Sequence, residues 1–501
     1  MENLTANLHL LWPEFLVAGL AFVVLAADSF LPAERKNVLT GLSVVGLLAI
    51  AAFSIWFLAG QDTTELYQGI VVVDTYGLFF KVVFLVLGVL VILASVEFVQ
   101  RYLSNPGEYY GIVLFSILGM MFMATATELL TAYISLELLS FSLYILVSHG
   151  RGDAKSNEAG TKYILLGAFA SALLLYGISM VYGEVALHGF DAPTSFAAIR
   201  QYTAGVSDLS APFLVGMALI IAGLGFKVAA VPFHMWTPDV YEGAPLPVTA
   251  YLAVGSKAAA FALVLRLFAT AFMPAIDQWQ LILASLAVAT MTLGNLVALA
   301  QHNIKRLLAY SSIGQVGYLL LGVAALALVG SDNSIIPLAN ASNAIILHLV
   351  GYGVANLAAF VAIIAFYNAT GKDNINDFAG LADRNPFIAM SLTVALFSLA
   401  GLPFFAGFIT KFYLFIAAAE ADMLWLAGVA IANSLISLYY YLIVIRQMYM
   451  QPAEESGKIN VSRVTGGLLG TLVIGTVAIG IYPAPLVDLI ETATAAILPG
   501  V

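Results

Sequence analysis

Fourteen stretches of mainly apolar residues follow one another along this chain, near 9–27, 38–59, 74–97, 109–126, 128–148, 161–183, 211–233, 247–271, 279–299, 306–329, 337–367, 386–419, 424–449 and 466–486. About twenty such residues make a helix that crosses roughly 30 Å of hydrocarbon, where every backbone N–H and C=O has to be satisfied within its own segment. The fold expected is therefore an all-α polytopic membrane protein with 14 transmembrane helices. Composition agrees, with 61% of residues hydrophobic and 10% charged against about 25% charged in soluble chains. Glu2 precedes the first stretch, no basic segment leads it and no small-residue cleavage site follows, so it reads as a retained span and not as a signal peptide.

Short cytoplasmic loops are enriched in Lys and Arg. With the N-terminus outside, the inner loops hold Arg35, Lys36, Arg101, Arg151, Lys155, Lys305, Arg306, Lys372, Arg384, Arg446, Lys458 and Arg463, and the outer loops hold Arg200 alone. Both termini are thus expected on the outer, positive side of a bacterial inner membrane or a thylakoid. The outer segments 184–210 and 60–73 read as lids or partner contacts, not as soluble domains. A formal charge of -10 offers no surface for a nucleic-acid backbone. With no cysteine, disulfides, thiolate-bound zinc and Cys-held iron-sulfur clusters are excluded within the chain. Phosphate-cradling and dinucleotide-binding glycine motifs are missing as well.

Six basic residues remain inside spans: Lys81, Lys162, Lys227, Lys257, Arg266 and Lys411. Each costs at least about 2.5–3.5 kcal/mol at the bilayer centre, so a chain that keeps several has a use for them. Lys162 and Arg266 lie near span ends, where snorkelling toward water also accounts for them. Glu137 sits mid-span in AYISLELLSFSLYILV. Alone it would take up a proton, whereas a nearby lysine would keep it ionised. A proton-transfer role and a static ion pair that fixes helix register both fit it.

In GLGFKVAAVPFHMWTPDVYEGAP, Pro232 and Pro238 follow Lys227; in LFSLAGLPFFAGFITKFYLF, Gly401, Pro403 and Gly407 precede Lys411. Such breaks free carbonyls at membrane depth and require a cavity or a protein lining. The two lysines stand 184 residues apart, and the blocks 109–271 and 279–449 each hold five expected spans, an odd number that inverts one block relative to the other. Two inverted five-helix repeats with discontinuous helices are a transporter architecture. Residues 1–108 form an N-terminal three-helix segment, and 466–486 a C-terminal transmembrane helix. Lys257, among small residues in the last span of the first repeat, is placed to bridge the two. His348, in NAIILHLVGYGVANLAAF, suits proton exchange, since an unperturbed imidazole titrates near pH 6.5; a hydrogen-bonded histidine between helices fits equally. His234 reads as a site residue or as a packed interfacial histidine, and His302, Lys305 and Arg306 as solvent-facing anchors by default, with proton entry as the lesser alternative.

The strings GFKVAAVPFHMWTPDVYEGAP, HNIKRLLAYSSIGQVGY and GLPFFAGFITKFY, with the helix around Glu137, resemble over nearly the whole length the antiporter-like chain N family of proton-pumping NADH-quinone oxidoreductases, including its photosynthetic relatives. Membrane subunits of multisubunit sodium/proton antiporters and of membrane-bound hydrogenases are similar at greater distance. The resemblance implies a relay of Glu137 and Lys227 in the first repeat, Lys257 as connector and Lys411 in the second, with Lys162 tuning or relaying charge near Lys227. It further implies that Glu137 stabilises the Lys227 ammonium when the pair is close, and that weakening the pair drives the proton onward. Partners would be other hydrophobic subunits of a large complex, among them further antiporter-like chains. Quinone and iron-sulfur, flavin or other redox centres would sit in partner subunits of the complex, and no cofactor in this chain. An autonomous or hydrogenase-associated sodium/proton antiporter subunit is the alternative.

Overall fold

The computed structural model describes residues 7–103, 105–327, 335–453 and 457–498; Glu2 and the last two positions of the span expected over 306–329 lie outside the described residues. In chain order the helices are α1 (Trp12–Phe30), α2 (Asn37–Leu58), α3 (Thr75–Tyr102), α4 (Pro106–Thr125), α5 (Leu129–Val147), α6 (Ala154–Leu187), α7 (Phe196–Gly205), α8 (Ala211–Val228), α9 (Trp236–Gly243) and α10 (Leu246–Tyr251). They continue as α11 (Lys257–Thr270), α12 (Ile276–Ala298), α13 (Ile304–Ala324), α14 (Ile336–Thr370), α15 (Leu381–Arg384), α16 (Pro386–Ala400), α17 (Ala406–Glu420), α18 (Leu424–Met450), α19 (Arg463–Ile481) and α20 (Ala484–Thr494). Among the described residues, 13 helical segments are long and apolar enough to cross a membrane. The remaining stretch, 386–419, is divided into α16 and α17, and neither half meets that length. The expected loop 60–73 carries a hairpin of β1 (Thr64–Leu66) and β2 (Val71–Val73), paired antiparallel with Thr64 opposite Val73. The segment 184–210 contains α7.

Lipid supplies no hydrophobic drive between helices, so close approach rests on small residues. A Cβ on Gly119 of α4 would lie 2.8 Å from the Leu139 nitrogen of α5, and one on Gly294 of α12 would lie 2.6 Å from the Gly314 nitrogen of α13. The first two helices of each expected repeat therefore touch backbone to backbone. α11, α13 and α14 are almost wholly buried and form the centre around which the rest pack.

Two of the intramembrane cations are held as carboxylate pairs. Lys81 on α3 meets Glu14 on α1 at 2.7 Å, with both side chains at most 1% exposed. Glu14 stands inside the first expected span, and its partner lies on another helix, so the segment by itself gives no sign of the pair. Arg266 does not snorkel: it is 3% exposed and forks onto Asp74 at 2.8 and 3.0 Å. Its Nε donates to the Ala124 carbonyl at 2.9 Å, and its guanidinium lies 4.6 Å from the Tyr76 ring centroid. Asp74 also caps α3 by accepting from the Gly77 N–H at 2.7 Å, so the arginine is fixed by an anion that the helix start already requires.

Breaking a buried pair strands the other charge, at a cost of about 3–5 kcal/mol. Lys81→Ala is expected to lower accumulation in the membrane and thermal stability by that order, and Glu14→Gln/Lys81→Met to recover most of it. Both are read by thermal unfolding of the purified assembly, and an unchanged Lys81→Ala would show the pair to be dispensable.

Candidate functional site

α8 stops one residue after Lys227. Ala229 adopts a left-handed backbone (φ 67°) and the chain leaves the helix until α9 begins at Trp236. The freed Phe226 carbonyl accepts from Trp236 Nε1 at 2.9 Å, and the Val231 N–H donates to Thr290 Oγ1 at 3.0 Å. Lys227, in the last turn of α8 where a cation complements the helix dipole, is 4% exposed and donates from Nζ to Ser140 Oγ at 2.8 Å.

Glu137 lies one turn before Ser140 on α5, yet the expected direct ion pair with Lys227 is not formed. The Glu137 carboxylate accepts from Ser171 Oγ of α6. It is half-buried, on the helix face that also turns Ile134 and Phe141 outward, whereas Ser140 points into the protein. Ser140, Ser171 and Lys227 line one chamber of about 10 Å³ with Tyr144 and Tyr163, about the least space that holds a water molecule. Ser171, which holds the acid, and Ser140, which holds the lysine, thus line the same chamber.

Lys257 follows a π-helical turn, Leu252–Ser256, that links α10 to α11; such turns recur at functional positions. Its Nζ reaches across to α13, donating to the Ser312 carbonyl at 2.9 Å and to Ser312 Oγ. Ser312 Oγ and Tyr352 Oη are 2.9 Å apart, and Tyr352 also donates to the Ala253 carbonyl at 3.0 Å. One turn from Tyr352 on α14, with ring centroids 6.4 Å apart, is His348. It is 1% exposed and its Nδ1 is 2.9 Å from Thr410 Oγ1.

Thr410 precedes Lys411 on α17. The break before it is built by Gly401, in the left-handed region at φ +86°, and by Gly407, whose absent Cβ would fall 1.7 Å from the Ser398 carbonyl oxygen. The end of α16 then presents its last carbonyls, and Lys411 Nζ donates to Leu399 O at 3.0 Å, Ala400 O at 3.3 Å and Ser434 Oγ at 3.0 Å. The Tyr318 ring lies 4.6 Å away. Two short hydrogen-bonded groups therefore lie near each other, Lys257–Ser312–Tyr352 and His348–Thr410; Tyr352 and His348 share a ring contact without a hydrogen bond, and Thr410 adjoins Lys411 only along the chain. Between Lys227 and Lys257 no hydrogen-bonded chain runs among the described residues.

Lys162 lies outside this row. Its side chain is 43% exposed and pairs with Glu158 at 2.8 Å and Asp239 at 2.7 Å. Arg306 meets Asp239 at 2.8 Å and Glu242 at 3.1 Å, and these groups with Lys155 surround a chamber of about 190 Å³. Burial pushes the Asp239 carboxyl up, but hydrogen bonds and charge from Lys162 and Arg306 outweigh it and hold the group below the usual carboxylate range. Arg306 and Lys305 are not solvent-facing anchors: Lys305 is 8% exposed and donates to the Glu242 carbonyl. His302 is exposed. His234 is 8% exposed in the turn between α8 and α9, with no hydrogen-bond partner for Nδ1 among the described residues. The hydroxyl groups at 140, 171, 312, 352, 410 and 434 were missed in the sequence. Serine and threonine mid-helix usually bond back to their own turn, so a hydroxyl at membrane depth is a weak signal by itself.

A family profile described as "NADH:quinone oxidoreductase/Mrp antiporter, TM" matches residues 126–437. The chain is 41% identical to NADH-quinone oxidoreductase subunit N of Trichlorobacter lovleyi, over 98% of this chain and 97% of that protein. It is 42% identical to the subunit N of Moorella thermoacetica, over 96% and 97%. Among solved structures it is similar to a chain of respiratory complex I from Thermus thermophilus with bound Aureothin (28% identity, TM-score 0.77, covering 96% of this chain and 99% of that one). A chain of the Mrp complex from Dietzia shares the fold at 22% identity and a TM-score of 0.82, covering 97% and 98%.

Because the Asp239 carboxyl is held low, its stabilisation is complete above the unfolded value of about 3.9 and is lost as pH falls through the depressed folded value. Asp239→Asn is expected to lower thermal stability at neutral pH and to flatten the acid limb. Melting curves between about pH 2 and pH 7 read both effects, and identical profiles for the two proteins would show that the cluster does not depend on this carboxylate.

Proposed function

The chain belongs to the NADH:quinone oxidoreductase/Mrp antiporter family of membrane subunits, and on that premise we propose that it is the proton-translocating subunit N of a donor:quinone oxidoreductase in a bacterial inner membrane. It performs no redox step itself and works beside other hydrophobic subunits, while the quinone site and the redox centres lie in partner subunits of the complex. The observation that carries the reading is the row of three buried lysines, each held on neutral oxygens, with hydroxyls and an imidazole lying between two of them.

In this reading a proton held as the Lys227 ammonium is stabilised by Glu137 through the serine-lined chamber, passes to Lys257, and moves through Ser312, Tyr352, His348 and Thr410 to Lys411. Hydroxyls and imidazole both donate and accept, so a proton leaves one side as another arrives. Without such groups the charge would meet the desolvation barrier of about 30 Å of hydrocarbon. Redox energy from the partner subunits would reach the relay as a change in the Glu137–Lys227 separation. Lys162 acts from the ion cluster beside α9.

The repeats 109–271 and 279–449 are read as inverted copies, with α16 and α17 as one discontinuous span that brings the total to fourteen. The N-terminal segment 1–108 and the span at 466–486 flank them, and both termini face the positive side. The breaks after α8 and α16 support this, since each falls beside a buried lysine at the matching place in its block.

Glu137→Gln, Lys227→Ala, Lys257→Ala and Lys411→Ala are each expected to slow coupled proton transfer about tenfold or more, a barrier higher by about 1.4 kcal/mol, in complexes that assemble fully. Proton uptake by vesicles, measured against quinone reduction, checks this. Full proton yield in all four would end the relay reading, and sodium exchange by the purified chain alone would favour an autonomous antiporter.

A further inference from the structure

We propose that Tyr144, Tyr163 and Trp236 form an aromatic gate between the ion-lined chamber around Lys162 and the chamber of Lys227, with α9 as its moving part; this rests on Lys227 belonging to the proton route. The two chambers adjoin along α6. Ala159 and Lys162 line the larger, and Tyr163 and Gly167 line the smaller. What lies between them is one layer of rings. Tyr163 and Trp236 are stacked with centroids 4.5 Å apart and planes 13° from parallel, and Tyr144 meets Tyr163 edge-on at 4.7 Å. All three are at least nine-tenths buried. Phe226, the residue before Lys227, packs on Trp236 at 5.6 Å and lines the Lys227 chamber. An apolar constriction of this kind stops ion and proton passage by excluding water, and it opens when its walls part.

One polar atom is set into this layer. Tyr163 Oη is buried and has no hydrogen-bond partner among the described residues, so it is the group that water passing from one chamber to the other would meet. The packing of Tyr144 depends on a missing side chain, since a Cβ on Gly167 would fall 2.0 Å from Tyr144 Oη. Trp236 is the first residue of α9, a helix of eight residues that follows the turn after Lys227. Asp239, in the same first turn as Trp236, pairs with Lys162 and Arg306, and Glu242 near the other end pairs with Arg306 and Lys155. Six of the eight residues are buried, so the helix moves as one body with the charges it binds. A shift of the ion cluster is thereby carried to Trp236, draws it off Tyr163 and connects the chambers.

The test uses the assembled complex in liposomes carrying Ala170→Cys, since the chain has no cysteine of its own and Ala170 lines the Lys227 chamber. A charged thiol reagent is added from the Lys162 side with the redox reaction off, and alkylation is read by mass spectrometry of this chain. Adding Tyr163→Ala or Trp236→Ala is expected to speed alkylation at least tenfold, while Tyr163→Phe, which keeps the ring, leaves it slow. Unchanged rates with both alanine variants would overturn the gate. Should those variants fail to assemble, the rate without them is expected to rise at least tenfold during turnover, and equal rates at rest and in turnover would overturn the gate. Normal coupled pumping by Lys227→Ala rejects the relay reading, whereas the alkylation rates bear on the gate alone.

Discussion

An ammonium group at hydrocarbon depth has to be met by oxygen, and each lysine of the buried row is met by a different source of it. Lys411 takes two main-chain carbonyls that exist as acceptors because α16 stops at Gly401, and a serine besides. Hydrogen bonds to a charged group are worth about 1.5–3 kcal/mol each, so a few offset an insertion cost of the order of 2.5–3.5 kcal/mol. Lys257 reaches a serine of another helix by its carbonyl and its hydroxyl. Lys227 has a single hydroxyl and a small chamber, which makes it the least satisfied of the three and the one best placed to exchange its proton.

The chain treats its other buried cations differently. Lys81 and Arg266 are locked to carboxylates, the arginine through a fork of two hydrogen bonds. A cation facing a fixed anion gives up its proton at the expense of stranding that anion, so such pairs hold helices in place. Neutral oxygens impose no such penalty. In the proposed reading, the division between cations held on carboxylates and cations held on neutral oxygens would separate scaffold from relay, and Lys162, held by two acids at a half-exposed edge, would fall on the scaffold side.

The row is also interrupted. Lys257, Ser312 and Tyr352 are hydrogen-bonded in sequence, and so are His348 and Thr410, but Tyr352 and His348 meet only as rings and Lys411 bonds to other oxygens. Lys227 stands apart, beside a chamber lined by Tyr144 and Tyr163. In the proposed relay such interruptions are where an external event could control transfer, since a path open throughout would short-circuit the membrane.

Thirteen of the expected spans and their order, the buried positions of Lys227, Lys257 and Lys411, and the two helix breaks were legible in the sequence. Hydropathy and proline or glycine punctuation act along one segment at a time, and the cost of a charge in lipid needs no neighbour to be recognised. The separation of Glu137 from Lys227, the capture of Arg266 by Asp74, the pairing of Lys81 with Glu14 and the hydroxyl chain through Ser312 and Tyr352 were not legible. Each depends on how one helix is rotated against another, and a helix turns its side chains by about 100° per residue, so one residue of register decides whether a carboxylate meets a lysine or the lipid. Sequence alone determined that charges had to be sheltered; the packing of helices distant in the chain decided which oxygen shelters each one, because that choice is made across interfaces whose register no single segment contains.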